Sequence, residues 1–251
     1  MKKYLFFIGA VGILITTSTS CDPKTQEALL KTGADILNAA TGTSTTTGTL
    51  SNADVIKGLK EALSVGTNNS ISLTSKVDGF LGNPLIYIPW PSQAIVMKER
   101  LTQLGFQNQI TAFETSLNRA AEEATKTAAP IFLNAITNMS ISDGFAILNG
   151  NDTAATHFLR EKTTAALKQS FSPTVTDAIN KVQVTAYWSP LITNYNKIPG
   201  IEKQNPNLTD YVTDKAIGGL MTMIAKEETK IRKDPMARVT DILKKVFGSK
   251  K

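Results

Sequence analysis

The sequence predicts an all-α protein, and three observations lead to that prediction. Apolar residues recur at spacings of three and four along most of the chain. Residues that cap or open helices stand before several of these segments. No convincing run alternates apolar with polar residues, as a half-buried strand would. A chain of 251 residues is long enough to bury a sizeable core, and we expect a single multi-helix domain over residues 50–248.

The first helix of this domain is predicted to begin at a capping box formed by Ser51 and Asp54. Its apolar residues at helical spacing are Val55, Ile56, Leu59 and Leu63. An irregular stretch, DGFLGNPLIYIPWP, follows at 78–91, because three prolines and two glycines are incompatible with a long helix. Most of its remaining residues are apolar, so we expect it to lie against the core or to line a groove.

The middle of the domain is predicted to be a series of helices separated by recognisable breaks. Ser92 is expected to cap a helix that ends near Gly105, and Pro130 to break the line between the two apolar stripes that follow. A second box-like start lies at Ser140 and Asp143. The two stripes are Ile110, Phe113, Leu117 and Ala121, then Ile131, Phe132, Ala135 and Ile136.

The last part of the domain is predicted to hold further helices. Asp152 is expected to cap one of them, and Ser172-Pro173 to open the next, which leads into an aromatic region. The strongest helical pattern spans 210–228, and we interpret Gly218-Gly219 within it as a point of close helix packing. Asp234-Pro235 is expected to start a final helix. The aromatic region contains Tyr187, Trp188 and Tyr195.

The N-terminus has the three-part layout of a secretory signal. Lys2 and Lys3 precede an apolar run at 4–15 and a small polar segment at 16–20. The run has twelve residues, whereas a membrane-spanning helix needs about 20. Cys21 stands at the expected cleavage point, and the arrangement resembles a bacterial lipoprotein signal, in which this thiol takes a diacylglycerol.

We therefore expect three parts along the chain. Residues 1–20 are a lipoprotein signal peptide, and residues 21–49 are a lipidated N-terminus with a short helix and a tether. The tether is the Gly/Ser/Thr-rich segment 42–48, which has too few apolar side chains to pack against a core. The helical domain follows.

Charge and composition exclude several functional classes. Removing residues 1–20 leaves 25 basic and 21 acidic residues, a net charge of 25 − 21 = +4, with no concentrated basic face. A nucleic-acid role would need such a face, so we expect no nucleic-acid partner. One cysteine and one histidine exclude an intramolecular disulfide and a His-pair metal site. The turn at 149–152 fails the calcium-loop spacing, and we expect neither metal nor cofactor.

No catalytic residue can be assigned from the sequence. His157, which any Ser-His or Cys-His system would require, is interpreted as an ordinary helix residue. Acidic residues are numerous, but the sequence places no two of them at the separation that glycoside hydrolysis needs. Many fit helical ion pairs instead, such as Glu122 with Lys126 and Glu228 with Arg232.

Six residues in the domain are candidates for ligand or partner contact. Arg119, beside Asn118, is flanked by small residues, which predicts partial burial and a need for a carboxylate partner. Asp214 or Glu227 on the 210–228 helix is expected to supply it. The pair is either a structural link between helices or a polar anchor that grips an anionic head group at the end of an apolar groove. The other candidates, in the proline-rich stretch, are Tyr87 and Trp90.

Several phrases of the domain resemble a bacterial family known as domain of unknown function 4197, which occurs in exported proteins and lipoproteins. The phrases are LSNADVIKGLKEALSVGT (50–67), DGFLGNPLIYIPWP (78–91), LNRAAEEA (117–124), APIFLNAI (129–136), ILNGNDTAAT (147–156), DYVTDKAIGGLMTMIAKEE (210–228) and KIRKDPMARVTDILKKVFG (230–248). The resemblance implies an exported helical protein, and it supplies no reaction, cofactor or catalytic residue.

Together these observations favour a non-enzymatic lipoprotein of the cell envelope, anchored through Cys21 to the outer membrane and facing the periplasm. Its body is expected to bind an amphiphilic ligand or an envelope protein. The alternatives are a hydrolase of envelope components that uses carboxylates alone, and a purely structural or assembly role.

Overall fold

The computed structural model describes residues 51–181 and 207–238, together with a few isolated positions between and after these ranges. The expected signal peptide, Cys21 and the tether lie outside the described residues. So do the three aromatic residues at 187, 188 and 195 and most of the expected final helix.

The described residues form α-helices and short 3-10 turns, with no strand among them, which confirms the all-α prediction. The helices are α1 (Asn52–Ser75), α2 (Ile95–Gln103), α3 (Gln107–Thr125), α4 (Ala129–Thr137), α5 (Ile141–Asn149), α6 (Ala154–Asn180) and α7 (Leu208–Lys233).

The longest helices pack around one apolar core. α7 contacts α6, α1 and α3, and α3 also packs on α6. The shorter α4 and α5 lie against α1 and α6, whereas α2 packs on α3 and contributes no fully buried residue. The largest side chains that are fully buried are Phe80, Phe113, Phe132, Phe171, Leu59, Ile88, Ile110, Leu117, Leu159, Leu167 and Leu220.

Local sequence rules place several helix starts correctly. Both predicted capping boxes are present, since Ser51 and Ser140 each accept a hydrogen bond from the backbone N–H three residues on. Pro130 lies in the first turn of α4, where its missing N–H has no helical partner to lose. The break it was expected to cause is therefore confirmed.

Other expected starts are wrong. Ser172-Pro173 opens no helix, because α6 continues through Pro173 to Asn180. The lost hydrogen bond costs about 3 kcal/mol, but Phe171 and Val175 on either side are fully buried, and their packing offsets that loss. The buried face of α6 thus overrides the local preference.

The expected caps at Ser92 and Asp152 also differ from the structure. Ser92 begins a 3-10 turn that ends at Ala94, and α2 follows without a side-chain cap. Asp152 forms an ion pair with Lys233 at 2.6 Å, so its carboxylate is directed to α7 rather than to its own helix. The first turn of α6 is satisfied by a residue from α7, described below.

The two neighbouring glycines of α7 are expected to change stability in opposite directions when each is replaced by alanine. A Cβ at Gly219 would lie 2.6 Å from the Phe80 ring, whereas a Cβ at Gly218 would meet nothing within 4 Å. We expect Gly219→Ala to lower the free energy of unfolding by about 1–3 kcal/mol through overpacking. Gly218→Ala should raise it by about 0.5–1 kcal/mol, because alanine favours the helix. Urea denaturation of the two variants checks both signs, and equal effects would contradict the close contact.

Candidate functional site

The proline-rich stretch forms a loop, residues 76–91, that packs against α3 and α7. Phe80, Ile86, Ile88 and Trp90 are buried, and the Trp90 ring lies 4.5 Å from that of Phe113, centroid to centroid. The loop therefore lies against the core, the first of the two arrangements that its composition predicted. Trp90, expected as a contact residue, is 2% exposed and belongs to the core.

Asn118 fastens this loop to α3. Its side-chain oxygen accepts a hydrogen bond from the backbone N–H of Ile88 at 2.8 Å, and its amide donates to the Ile88 carbonyl at 3.0 Å. The same amide also donates to the Glu114 carbonyl. Asn118 is fully buried, so these bonds satisfy polar groups that water does not reach.

Glu122 fastens the other end of the loop. One carboxylate oxygen accepts hydrogen bonds from the backbone N–H groups of Phe80 at 3.0 Å and Leu81 at 3.1 Å. The second oxygen accepts from Arg119 at 2.6 Å, and Arg119 also donates to Asp78 at 2.8 Å. We call Asn118, Arg119 and Glu122 the loop clamp.

The partners expected for Arg119 are wrong. Asp214 forms an ion pair with Lys168 at 2.7 Å, and Glu227 accepts a hydrogen bond from Asn69 at 3.2 Å. The carboxylates beside Arg119 come instead from one turn further along α3 and from the loop. The bonds to Glu122 and Asp78 raise the pKa of Arg119, the one to Glu122 most strongly.

The loop clamp has the chemistry of a structural ion pair rather than of an anchor for a head group. Both terminal NH2 groups of the guanidinium face protein carboxylates, and both oxygens of Glu122 already accept hydrogen bonds. The carboxylates of Asp78 and Glu122 do converge, but on a cation. Both carboxylates are therefore engaged in holding Arg119 and the loop in place.

Three loop residues and two residues of α7 are at least partly exposed, and we call this set the loop face: Leu85, Tyr87, Pro89, Tyr211 and Lys215. The Tyr211 hydroxyl donates to the Pro89 carbonyl at 3.1 Å, and the Lys215 ammonium lies 5.7 Å from the Tyr211 ring centre. Burial, with a smaller contribution from Tyr87, raises the pKa of Tyr211 to about 12. Burial and the neighbouring Glu114 carboxylate raise the pKa of Tyr87. Both tyrosines are therefore neutral hydrogen-bonding groups at physiological pH.

Two recesses lie between α1 and α7, away from the loop clamp. The first is a partly open recess of about 30 Å³ among apolar side chains next to Glu228 and Arg232, with room for little more than a water molecule. The second is an open recess of about 280 Å³ beside Glu227, Lys230 and Asp234. Neither is lined by the loop clamp or the loop face.

Glu228 has a role that the sequence did not reveal. Its carboxylate accepts hydrogen bonds from the backbone N–H groups of Ala155 and Thr156, at 3.0 and 2.8 Å, and from the Thr156 hydroxyl. It thus caps α6 from α7. The predicted pair with Arg232 is confirmed at 2.8 Å, whereas Lys126 pairs with Glu123 rather than with Glu122. No local signal marked Glu228 as a cap, because its partners lie 72 and 73 residues away.

Two further properties concern the described part of the chain. No group of three or more His, Cys, Asp or Glu in it is arranged to hold a metal ion. His157 is exposed on α6. None of the described helices is by itself long and apolar enough to cross a membrane; α4 and α5 meet that test only as a pair, with a bend of 104° between them.

Comparison with known proteins gives a family and no activity. Residues 49–248 match the model of a family described as protein of unknown function (DUF4197). Neither the curated proteins nor the solved structures include a significant match.

Proposed function

Since the chain belongs to the family of proteins of unknown function DUF4197, we propose a function from the described surface: a non-enzymatic interaction protein of the bacterial cell envelope. In this proposal a lipid on Cys21 holds the protein at the outer membrane on the periplasmic side. The helical body contacts an envelope protein through the loop face.

The observation that carries the proposal is the way the loop is held. The loop clamp uses its polar groups to fix both ends of the loop on α3, so the outer side of the loop is presented in a set conformation. Binding residues are often carried on loops that a rigid scaffold positions. Tyrosine, which has an apolar ring and a polar hydroxyl, is enriched in protein–protein interfaces.

The two recesses described above favour a surface contact over a bound ligand of lipid size. Ligand pockets typically measure about 300–1,000 Å³ and cover most of the ligand. The smaller recess is about 30 Å³, and the larger one is about 280 Å³ and lined partly by charged side chains. An amphiphilic ligand of lipid size fits neither of these two recesses, and we favour an envelope protein as the partner.

The tether is tested by labelling the protein in its host with a radioactive fatty acid. We expect label in the protein with Cys21 intact and none after Cys21→Ser, because the thiol is the acceptor. If the Cys21→Ser protein also carried the label, a lipid on this residue would be contradicted.

The loop face is tested by photo-crosslinking in the same cells. A benzophenone amino acid at Leu85, which is 54% exposed, should give a discrete adduct with an envelope protein. The matched control is the same amino acid at Leu133 on α4, which is 47% exposed. The Leu85 adduct should disappear when Tyr87→Ser is added, since the proposal makes both residues part of the same contact. Identical adducts from both positions, or an adduct insensitive to Tyr87→Ser, would exclude the loop face as the contact.

A further inference from the structure

The connection between α2 and α3 carries no charge. From Leu101 to Phe113 no residue is acidic or basic, and the nearest charged side chains along the chain are Arg100 and Glu114. Within this segment Leu104 is 71% exposed and Phe106 is 42% exposed. We call the exposed part of this segment, residues 102–109, the uncharged tip, because Ile110 and Phe113 belong to the core.

The backbone holds these two apolar side chains at the surface. Gly105 has a φ of 83°, in the left-handed region, and its N–H donates to the Thr102 carbonyl at 3.0 Å. The Phe106 N–H donates to the Leu101 carbonyl at 2.9 Å. These two bonds form the motif that ends a helix at a glycine, and they fix Leu104 and Phe106 on either side of the turn. α2 itself has no fully buried residue, so the tip lies at the edge of the fold.

The small apolar area of the tip favours a lipid surface over a protein as its partner. A stable protein interface buries about 800 Å² on each partner, from roughly 20–30 residues. Two large apolar side chains surrounded by glutamine, asparagine and threonine supply far less than that. Shallow insertion into a bilayer needs no complementary partner, and it is favoured where no charged group must leave water.

We propose that the uncharged tip inserts Leu104 and Phe106 into the lipid–water interface of the membrane to which the protein is anchored. The anchor is the lipid on Cys21, so this inference rests on the tether of the proposed function. Cys21 precedes Ser51 by 30 residues, which span at most roughly 100 Å when fully extended. The anchored body thus stays near the bilayer, and a weak insertion is sufficient to orient it.

The charge pattern also specifies which lipids the tip requires. A surface that binds through anionic lipids carries clustered basic residues, and its binding falls as salt rises. The tip has none, so insertion is expected into neutral as well as anionic vesicles and to depend little on salt. This behaviour separates apolar insertion from electrostatic attraction.

The experiment replaces the lipid by an artificial tether. The mature chain with Cys21→Ser has no other cysteine, and a polyhistidine tag at its N-terminus binds vesicles that contain a nickel-chelating lipid. An environment-sensitive dye is attached to Leu104→Cys, with Leu133→Cys on α4 as the matched control. The vesicles are phosphatidylcholine, with or without phosphatidylglycerol.

We expect the dye at position 104, and not the dye at 133, to shift its emission to the blue and to be quenched by brominated lipid. On the tethered vesicles, with the dye at Phe106→Cys instead, Leu104→Asp should remove most of the blue shift and Leu133→Asp should not change it. An unchanged dye at 104 on tethered vesicles would overturn the proposal. A shift at 104 that requires added envelope proteins would overturn it in favour of a protein partner. Because nickel supplies the tether, these outcomes are independent of whether Cys21 carries lipid, which fatty-acid labelling decides separately.

Discussion

Replacing Glu122 by alanine should lower the free energy of unfolding by about 3 kcal/mol. The substitution removes the acceptor for two backbone N–H groups, that of buried Phe80 and that of partly buried Leu81. A buried donor that loses its acceptor costs about 1–3 kcal/mol. Arg119 also loses its nearer carboxylate, but it is partly exposed and water compensates for much of that loss.

Glu123 provides the control, because it is the adjacent residue on the same helix. Its carboxylate forms an exposed pair with Lys126, so Glu123→Ala should change stability by less than about 1 kcal/mol. Urea denaturation measures both variants, and hydrogen exchange at Phe80 and Leu81 should accelerate only in Glu122→Ala. Equal losses for the two alanine variants would contradict the fastening role of Glu122.

Replacing Glu228 by alanine should have the largest effect of all, a loss of about 3–5 kcal/mol. Glu228 and Arg232 form a buried ion pair, and removing one partner leaves an uncompensated charge. The first turn of α6 loses its cap at the same time, since Ala155 and Thr156 donate to the same carboxylate. Arg232 also donates to the Ile147 carbonyl in α5, so three helices meet at this group.

Glu227, one residue earlier, is the matched control for this prediction. It accepts a hydrogen bond from exposed Asn69, and Glu227→Ala should cost less than about 1 kcal/mol. Thermal or urea unfolding compares the two variants, and hydrogen exchange at Ala155 and Thr156 reports the cap directly. A Glu228→Ala protein with unchanged exchange at these amides would show that α6 does not depend on this carboxylate.

Both predictions concern acidic residues whose roles could not be found from the sequence alone. Glu122 and Glu228 were predicted to form helical ion pairs, because the spacing to Lys126 and Arg232 fits the helical period. The second pair is present and the first is not. In each case the larger role, bonding to backbone N–H groups of another segment, depends on which segment lies opposite the helix.

For the candidate contact residues, too, the sequence predicts local properties but not the partners. Partial burial of Arg119 and its need for a carboxylate follow from its neighbours along α3, and the structure agrees. The identity of that carboxylate does not follow, because it depends on how the loop folds back over the helix. Asn118 was selected by its position beside Arg119, yet its bonds to Ile88 become visible only once the loop is placed.

The sequence by itself determined the helical class, both capping boxes and the helix break at Pro130. These features depend on residues within about one turn of each other, where spacing and side-chain chemistry are sufficient. The tertiary structure decided that α6 continues through Pro173, that the loop clamp serves the loop, and that Glu228 caps α6. The loop clamp and the Glu228 cap join groups that are far apart in the sequence, so these contacts exist only after folding has brought the segments together. In α6, the packing of buried side chains outweighs the local preference of proline to end a helix.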